Sequence, residues 1–196
     1  MSEIEKFVGE ELSRSAKLLQ RTAKESAGVI AQAGELLVAC LESGGKVLAF
    51  GNGGSAADAQ HFATELAGRY RKDRKGLPAL ALNTNNSNLT AIANDYGFEQ
   101  VFARQVAALA RPGDLVIGIT TSGRSPNVLT ALKTARECGA RTMALVGSKT
   151  TQVAELADAL ISVPSDDTPR IQEAHAVIIH ILCDLVEQRL FPDPEG

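Results

Sequence analysis

The chain has 196 residues, a formal net charge of −3, 44% hydrophobic and 22% charged residues. That length suits one domain, or two small ones, and the composition is that of a globular protein rather than a disordered chain. No apolar stretch reaches the ~18 clean residues of a membrane span, and the slight negative charge argues against a general nucleic-acid binder.

Residues 2–43 read as helix. Ile4, Phe7, Val8, Leu12 and Ala16 recur at spacings of three and four, and Val29, Ile30, Ala33, Leu36, Leu37 and Leu41 resume the pattern. Ser26 reads as an N-cap between two helices, so a helical hairpin is expected, closed by Gly44-Gly45. A hairpin placed before the first strand commonly packs on the domain and on neighbouring subunits. The acidic start, Met1 to Glu11, has no apolar core of a signal peptide. Cys40, Cys138 and Cys183 are odd in number and widely spaced, with no CxxC pair, so neither a disulfide framework nor a zinc ribbon is supported. A reducing cytoplasm is the expected location.

Five short apolar runs follow: Lys46 to Phe50, Ala79 to Leu82, Leu115 to Ile119, Thr142 to Val146 and Ala159 to Val163. Each is apolar enough to be buried on both faces, as parallel strands are. Helical patterns separate them at 55–68, 87–109 in two pieces, 126–138 and 151–157, and a long helix at about 169–189 closes the chain, with Pro169 in its first turn. Strands alternating with helices predict a single α/β domain over residues 44–190, with a five-stranded parallel sheet flanked by helices. Residues 191–196, with two prolines, read as a loose tail.

In open parallel sheets ligands bind outside the carboxyl ends of the strands. Strand one runs into Gly51-Asn52-Gly53-Gly54-Ser55 and then a helix. The glycines allow close backbone approach, Ser55 suits a cap, and the helix start offers N–H groups to an anion; the same residues also make an ordinary tight turn. Strand three runs into Thr120-Thr121-Ser122-Gly123-Arg124-Ser125. A cap needs one hydroxyl and this loop has four, which favours a phosphate held without a metal. Arg124 either adds charge or faces solvent.

His61 and Glu65 stand at i and i+4, a spacing that suits one metal or one substrate atom and is equally common in an exposed pair. The last helix carries Gln172, His175 and His180. His180 lies in an apolar stretch, where a core histidine and an acid/base are both possible readings. Gln172 and His180 are separated by ~12 Å along a regular helix, so a single site using both needs a distorted helix or more than one subunit. Arg69 to Lys75 (RYRKDRK) either steers an anion or is a solvated loop, and Asn94-Asp95 either reaches a polyol or makes a turn.

Together GNGGSAADAQHFATEL, GRYRKDR, LPALAL, TAIANDYGFEQVF, TTSGRSPNVL and RIQEAH…H resemble the phosphoheptose isomerases of the SIS (sugar isomerase) domain superfamily, over about residues 40–190. The resemblance implies a ketose–aldose isomerase that converts sedoheptulose 7-phosphate into D-glycero-D-manno-heptose 7-phosphate. It implies substrate contacts from Asn52, Gly53, Gly54, Ser55, Glu65, Asn94, Asp95, Thr120, Thr121, Ser122, Ser125 and Gln172. It implies one zinc per subunit on His61, Glu65, Gln172 and His180, with Glu65 as base and His180 as acid. It also implies a homotetramer with active sites between subunits, and no nucleic-acid or membrane partner. The family's phosphate loop commonly reads Ser-Thr-Ser-Gly-Asn-Ser; here Thr120 and Arg124 depart from it, and the hydroxyl count survives. The segment NTNNSN (83–88) and the ending LFPDP also resemble a sister family that binds a replication initiator without catalysis. That family lacks the carboxylate and the histidine that Glu65 and His180 supply here.

Overall fold

The computed structural model describes residues 2–150 and 152–192. The first element, α1 (Glu3–Glu42), is one continuous helix of 40 residues and not a hairpin. Ser2 caps it in a reciprocal box with Glu5, which explains where it begins. Ser26 does not break it. The Ser26 hydroxyl donates to the Ser162 carbonyl at 2.8 Å, so a residue read as a cap is instead a buried cross-link to the sheet. No proline or glycine pair interrupts the run, and mid-helix serine costs little when its hydroxyl has a partner.

The strands are β1 (Val47–Gly51), β2 (Ala79–Ala81), β3 (Leu115–Thr120), β4 (Arg141–Val146) and β5 (Ala159–Ser162). They form one parallel sheet in the order β2-β1-β3-β4-β5. The helices between and after them are α2 (Gly54–Ala67), α3 (Asn86–Tyr96), α4 (Ala103–Leu109), α5 (Pro126–Glu137) and α6 (Thr168–Leu190). The helix expected at 151–157 is only a 3₁₀ turn, Ala154–Leu156, and residue 151 lies outside the described residues. Of the expected tail, 193–196 also lie outside them.

Alternating strand residues build two cores. Val47, Ala49, Leu115, Ile117, Ile119, Met143, Leu145 and Ile161 face α1, α2 and α6. Leu48, Phe50, Val116, Ala144 and Val146 face α4 and α5 on the other side, where Phe50 stacks on Phe102 at 5.0 Å. The result is three layers, helix–sheet–helix, with the C-terminal half of α1 buried against α6 and β5. The strands stay parallel, but the order in which the chain lays them down reverses between β1 and β3. A crevice opens at such a switch point, outside the strands' carboxyl ends. The two loops that lead from β1 into α2 and from β3 into α5 therefore border it.

Candidate active site

The first loop is tied in place by paired amides. Asn83 accepts from the Gly51 N–H at 3.3 Å and donates to the Gly51 carbonyl at 2.8 Å. Asn52 and Asn127 exchange two hydrogen bonds of 2.9 Å, which lock the β1–α2 loop to the first turn of α5. Asn127 is buried and was not singled out in the sequence, because an Asn after Ser-Pro reads as ordinary helix-start chemistry. Ser55 does not cap α2. The N-cap is Gly53, which makes no side-chain capping bond, and Ser55 lies buried inside the first turn of the helix.

The second loop gathers hydroxyls. Thr120 Oγ1 lies 3.0 Å from Ser125 Oγ and 3.4 Å from Ser122 Oγ, and Ser122 Oγ accepts from the Arg124 N–H at 3.3 Å. Ser125 is the N-cap of α5 but makes no capping bond, so its hydroxyl belongs to the cluster rather than to the helix. Gly123 holds a positive φ of +64°, and a Cβ there would run into the Lys149 carbonyl, so only glycine closes this turn. Thr121 is half-buried beside the group, and Arg124 is exposed. Three hydroxyls at the start of a helix make a suitable seat for an anion.

Helices α2 and α6 lie side by side and run in the same direction, since Gly54 meets Gln172 and His61 meets His180. His61 Nε2 stands 3.2 Å from Glu65 Oε1 and 3.2 Å from His180 Nε2. The ligand atoms of all three residues lie within 4.8 Å of one another. Tyr70 stacks on the His180 ring at 5.5 Å, and His61 meets that ring edge-on at 4.9 Å. The core histidine on α6 is His175: it is fully buried, and burial pushes its pKa down to about 4 against the bond to the Val146 carbonyl. One turn before His61, Asp58 has a buried oxygen with no partner, and burial raises its pKa to about 6 while His61 opposes the rise.

Gln172 is not in this cluster. It packs on Gly54, where any Cβ would strike its amide, about 10 Å along α2 from His61. Asn94 and Asp95 sit exposed on the last turn of α3 and bond to each other at 2.8 Å. The cationic segment is not simply a solvated loop: Arg74 is 2% exposed and pairs with Glu187, 1% exposed, at 3.0 Å. A charge-rich stretch gives no sign of which cation will be buried, because the partner lies over a hundred residues away.

Two imidazole nitrogens and one carboxylate oxygen converge with no thiolate. Tetrahedral zinc with bonds near 2 Å places its ligand atoms roughly 3.3 Å apart; His61 Nε2 stands 3.2 Å from each of its two partners and all three ligand atoms lie within 4.8 Å, a donor set of the kind zinc takes.

A sequence profile of the SIS domain matches residues 12–147. The chain is 57% identical over 175 residues to a phosphoheptose isomerase of Geotalea daltonii, covering 89% of this chain and 91% of that one. Among solved structures, a phosphoheptose isomerase from Neisseria gonorrhoeae superposes with a TM-score of 0.89 at 44% identity, over 94% of this chain and 99% of that chain. One from Francisella tularensis does so with a TM-score of 0.90 at 40% identity, over 96% and 100%. With relatives this similar along nearly its whole length, the chain belongs to the phosphoheptose isomerase family of SIS-domain enzymes.

Proposed function

We propose that this chain converts sedoheptulose 7-phosphate into D-glycero-D-manno-heptose 7-phosphate. The observation that carries the reading is the convergence of Glu65 and His61, on the helix that follows the first switch-point loop, with His180 of α6. A ketose-to-aldose change needs one group to take a proton from C1 and return it to C2, and another to move a proton between O1 and O2. Glu65 is the base that takes the C1 proton, which leaves an enediol, and His180 is the acid that serves the oxygens. Each such group is typically worth ~10²–10⁴ in rate. No outside oxidant is needed, because C1 is oxidised as C2 is reduced. Thr120, Thr121, Ser122 and Ser125 hold the 7-phosphate, and that remote binding orients the reacting carbons. Asn52, Gly53, Gly54, Ser55, Asn94 and Asp95 contact the sugar.

His61, Glu65 and His180 would hold a zinc ion, which when bound supplies Lewis-acid polarisation of the sugar oxygens. Gln172 from the same chain lies too far along α2 to join them, so a second copy supplies it, and the working form is a homotetramer in the cytoplasm. The exposed stripe Ile4, Phe7, Val8 and Leu12 on α1 supports assembly, since nothing in the described chain covers it.

The test is a direct assay of the purified protein, with and without chelator, on sedoheptulose 7-phosphate followed by NMR. Turnover by the wild type and none by a folded Glu65→Gln variant is expected. Wild-type turnover that survives Glu65→Gln removes Glu65 as base, and a folded tetramer with no turnover overturns the assignment. An active monomer by light scattering refutes the shared site.

A further inference from the structure

The link from α2 to β2 contains no regular element between Gly68 and Pro78, yet its backbone is held from one side chain. Glu187 Oε1 accepts from the Tyr70 N–H at 3.1 Å and from Arg74 Nε at 3.0 Å. Its Oε2 accepts from the Arg71 and Lys72 N–H groups, both at 2.9 Å. Arg74 in turn donates to the Glu65 carbonyl and the Leu66 carbonyl, each at 2.8 Å. The buried pair thus joins three pieces: the end of α2 that carries Glu65, the loop that carries Tyr70, and α6.

Glu187 follows His180 by seven residues, two helical turns, and so lies on the same face of α6. The loop that Glu187 grips delivers the Tyr70 ring onto the His180 ring, at 5.5 Å and 26° between planes. Arg71, gripped by the same carboxylate, lies 5.2 Å from that Tyr70 ring and reaches Asp184 at 3.7 Å. An apolar pair of similar volume would pack α2 against α6 at less desolvation cost. It could not grip three successive N–H groups, and so it could not set where Tyr70 sits.

We propose that Arg74 and Glu187 are positioning residues, which act through Tyr70 to hold the His180 imidazole toward His61 and Glu65. The proposal rests on the reading of His180 as the acid. With Tyr70 stacked on its face, the His180 ring cannot turn about its side-chain bond without breaking the stack. Its Nε2 therefore stays at the cluster before any substrate arrives, and such preorganisation is worth most where small displacements are costly.

The test uses the full chain labelled with ¹³C-histidine, which has only three histidines to resolve. The NMR arm is run after chelator treatment, so that the protein alone holds the ring, and the kinetic arm on the enzyme as purified. Tyr70→Phe keeps the stack and should leave the His180 ring signal and kcat unchanged. Tyr70→Leu should move that signal and lower kcat by about tenfold or more, with KM within about threefold. Glu187→Gln and Arg74→Lys should move the same signal in the same way, while the buried His175 signal stays in place and reports an intact fold. A folded Glu187→Gln or Arg74→Lys variant with His180 unmoved overturns the proposal. If both variants fail to fold, Tyr70→Leu with His180 unmoved overturns it alone. A wild type without turnover would defeat the isomerase reading and leave the NMR arm to decide the positioning.

Discussion

Replacing Arg74 with methionine tests how much of the fold depends on the buried pair. Arg74 and Glu187 are 2% and 1% exposed, so solvent screens neither charge. Removing one partner of such a pair typically costs ~3–5 kcal/mol. Glu187 keeps three N–H donors in the variant, which places its share at the lower end, about 3 kcal/mol. The Leu66 carbonyl still accepts from the Leu77 N–H, and the carbonyls of Gly68 and Lys75 are near water, but the Glu65 carbonyl loses its donor, adding about 1 kcal/mol. The sum is ~4 kcal/mol, or roughly 8–16 °C in Tm for a chain of this size. Arg136→Met serves as control, since its pair with Asp158 is half exposed at 3.4 Å and is worth below ~1 kcal/mol.

The same pair predicts a pH dependence. Burial pushes the Glu187 pKa up, but the N–H groups of Lys72, Arg71 and Tyr70 and the charge of Arg74 outweigh it and hold it below the ordinary carboxylate value. A depressed folded pKa means the stabilisation is complete above the unfolded value and is lost as pH falls through the folded one. The deficit of Arg74→Met should therefore be largest near neutral pH and shrink in acid. Urea denaturation at fixed protein concentration, from pH 7.5 downward, measures it. A loss no greater than that of Arg136→Met, or one independent of pH, would refute the reasoning.

Three further outcomes are expected. Ser122→Ala or Ser125→Ala should raise KM roughly ten- to a hundredfold, one charge-assisted hydrogen bond, with kcat little changed; steady-state kinetics showing an unchanged KM would move the phosphate elsewhere. His175 is neutral when folded, with a pKa of about 4, so the unfolded chain takes up its proton first and stability falls as pH drops from ~6.5 toward 4, by about 1.4 kcal/mol per unit. His175→Gln should remove that component, and parallel urea-midpoint curves for wild type and variant would contradict it. Gly54→Ala should leave the melting temperature level or slightly raised, because alanine favours the helix start, while it displaces Gln172 and lowers turnover; full activity in the assay would place Gln172 outside the chemistry.

Local pattern carried most of the architecture. Five short apolar runs alternating with helical patterns read as parallel strands, and β1 to β5 each fall within a residue or two of the expected positions. The edge strand β2 departs from the expected burial on both faces, because it has one neighbour and leaves Leu80 exposed. The hydroxyls of Thr120, Ser122 and Ser125 were legible for a similar reason, being adjacent in the chain. His61 and Glu65 were legible as neighbours because helix geometry brings i and i+4 together. Their meaning was not, since an exposed pair has the same spacing.

What needed the tertiary structure was every pairing between distant residues. Ser26 has the chemistry of a cap, and only the Ser162 carbonyl, 136 residues away, shows that it is a link inside one long helix. His180 and His175 look alike in sequence. Packing alone sends His175 into the core beside Val146 and turns His180 toward His61. Arg74 reads as one of five surface cations until Glu187 is placed against it. The sequence by itself determined the periodicities, the loop chemistry and the family motifs, all of which act over a few residues. The parallel seating of α2 on α6 decided which histidine, which arginine and which tyrosine share the site, because contact across the chain depends on how faces dock and not on spacing along it.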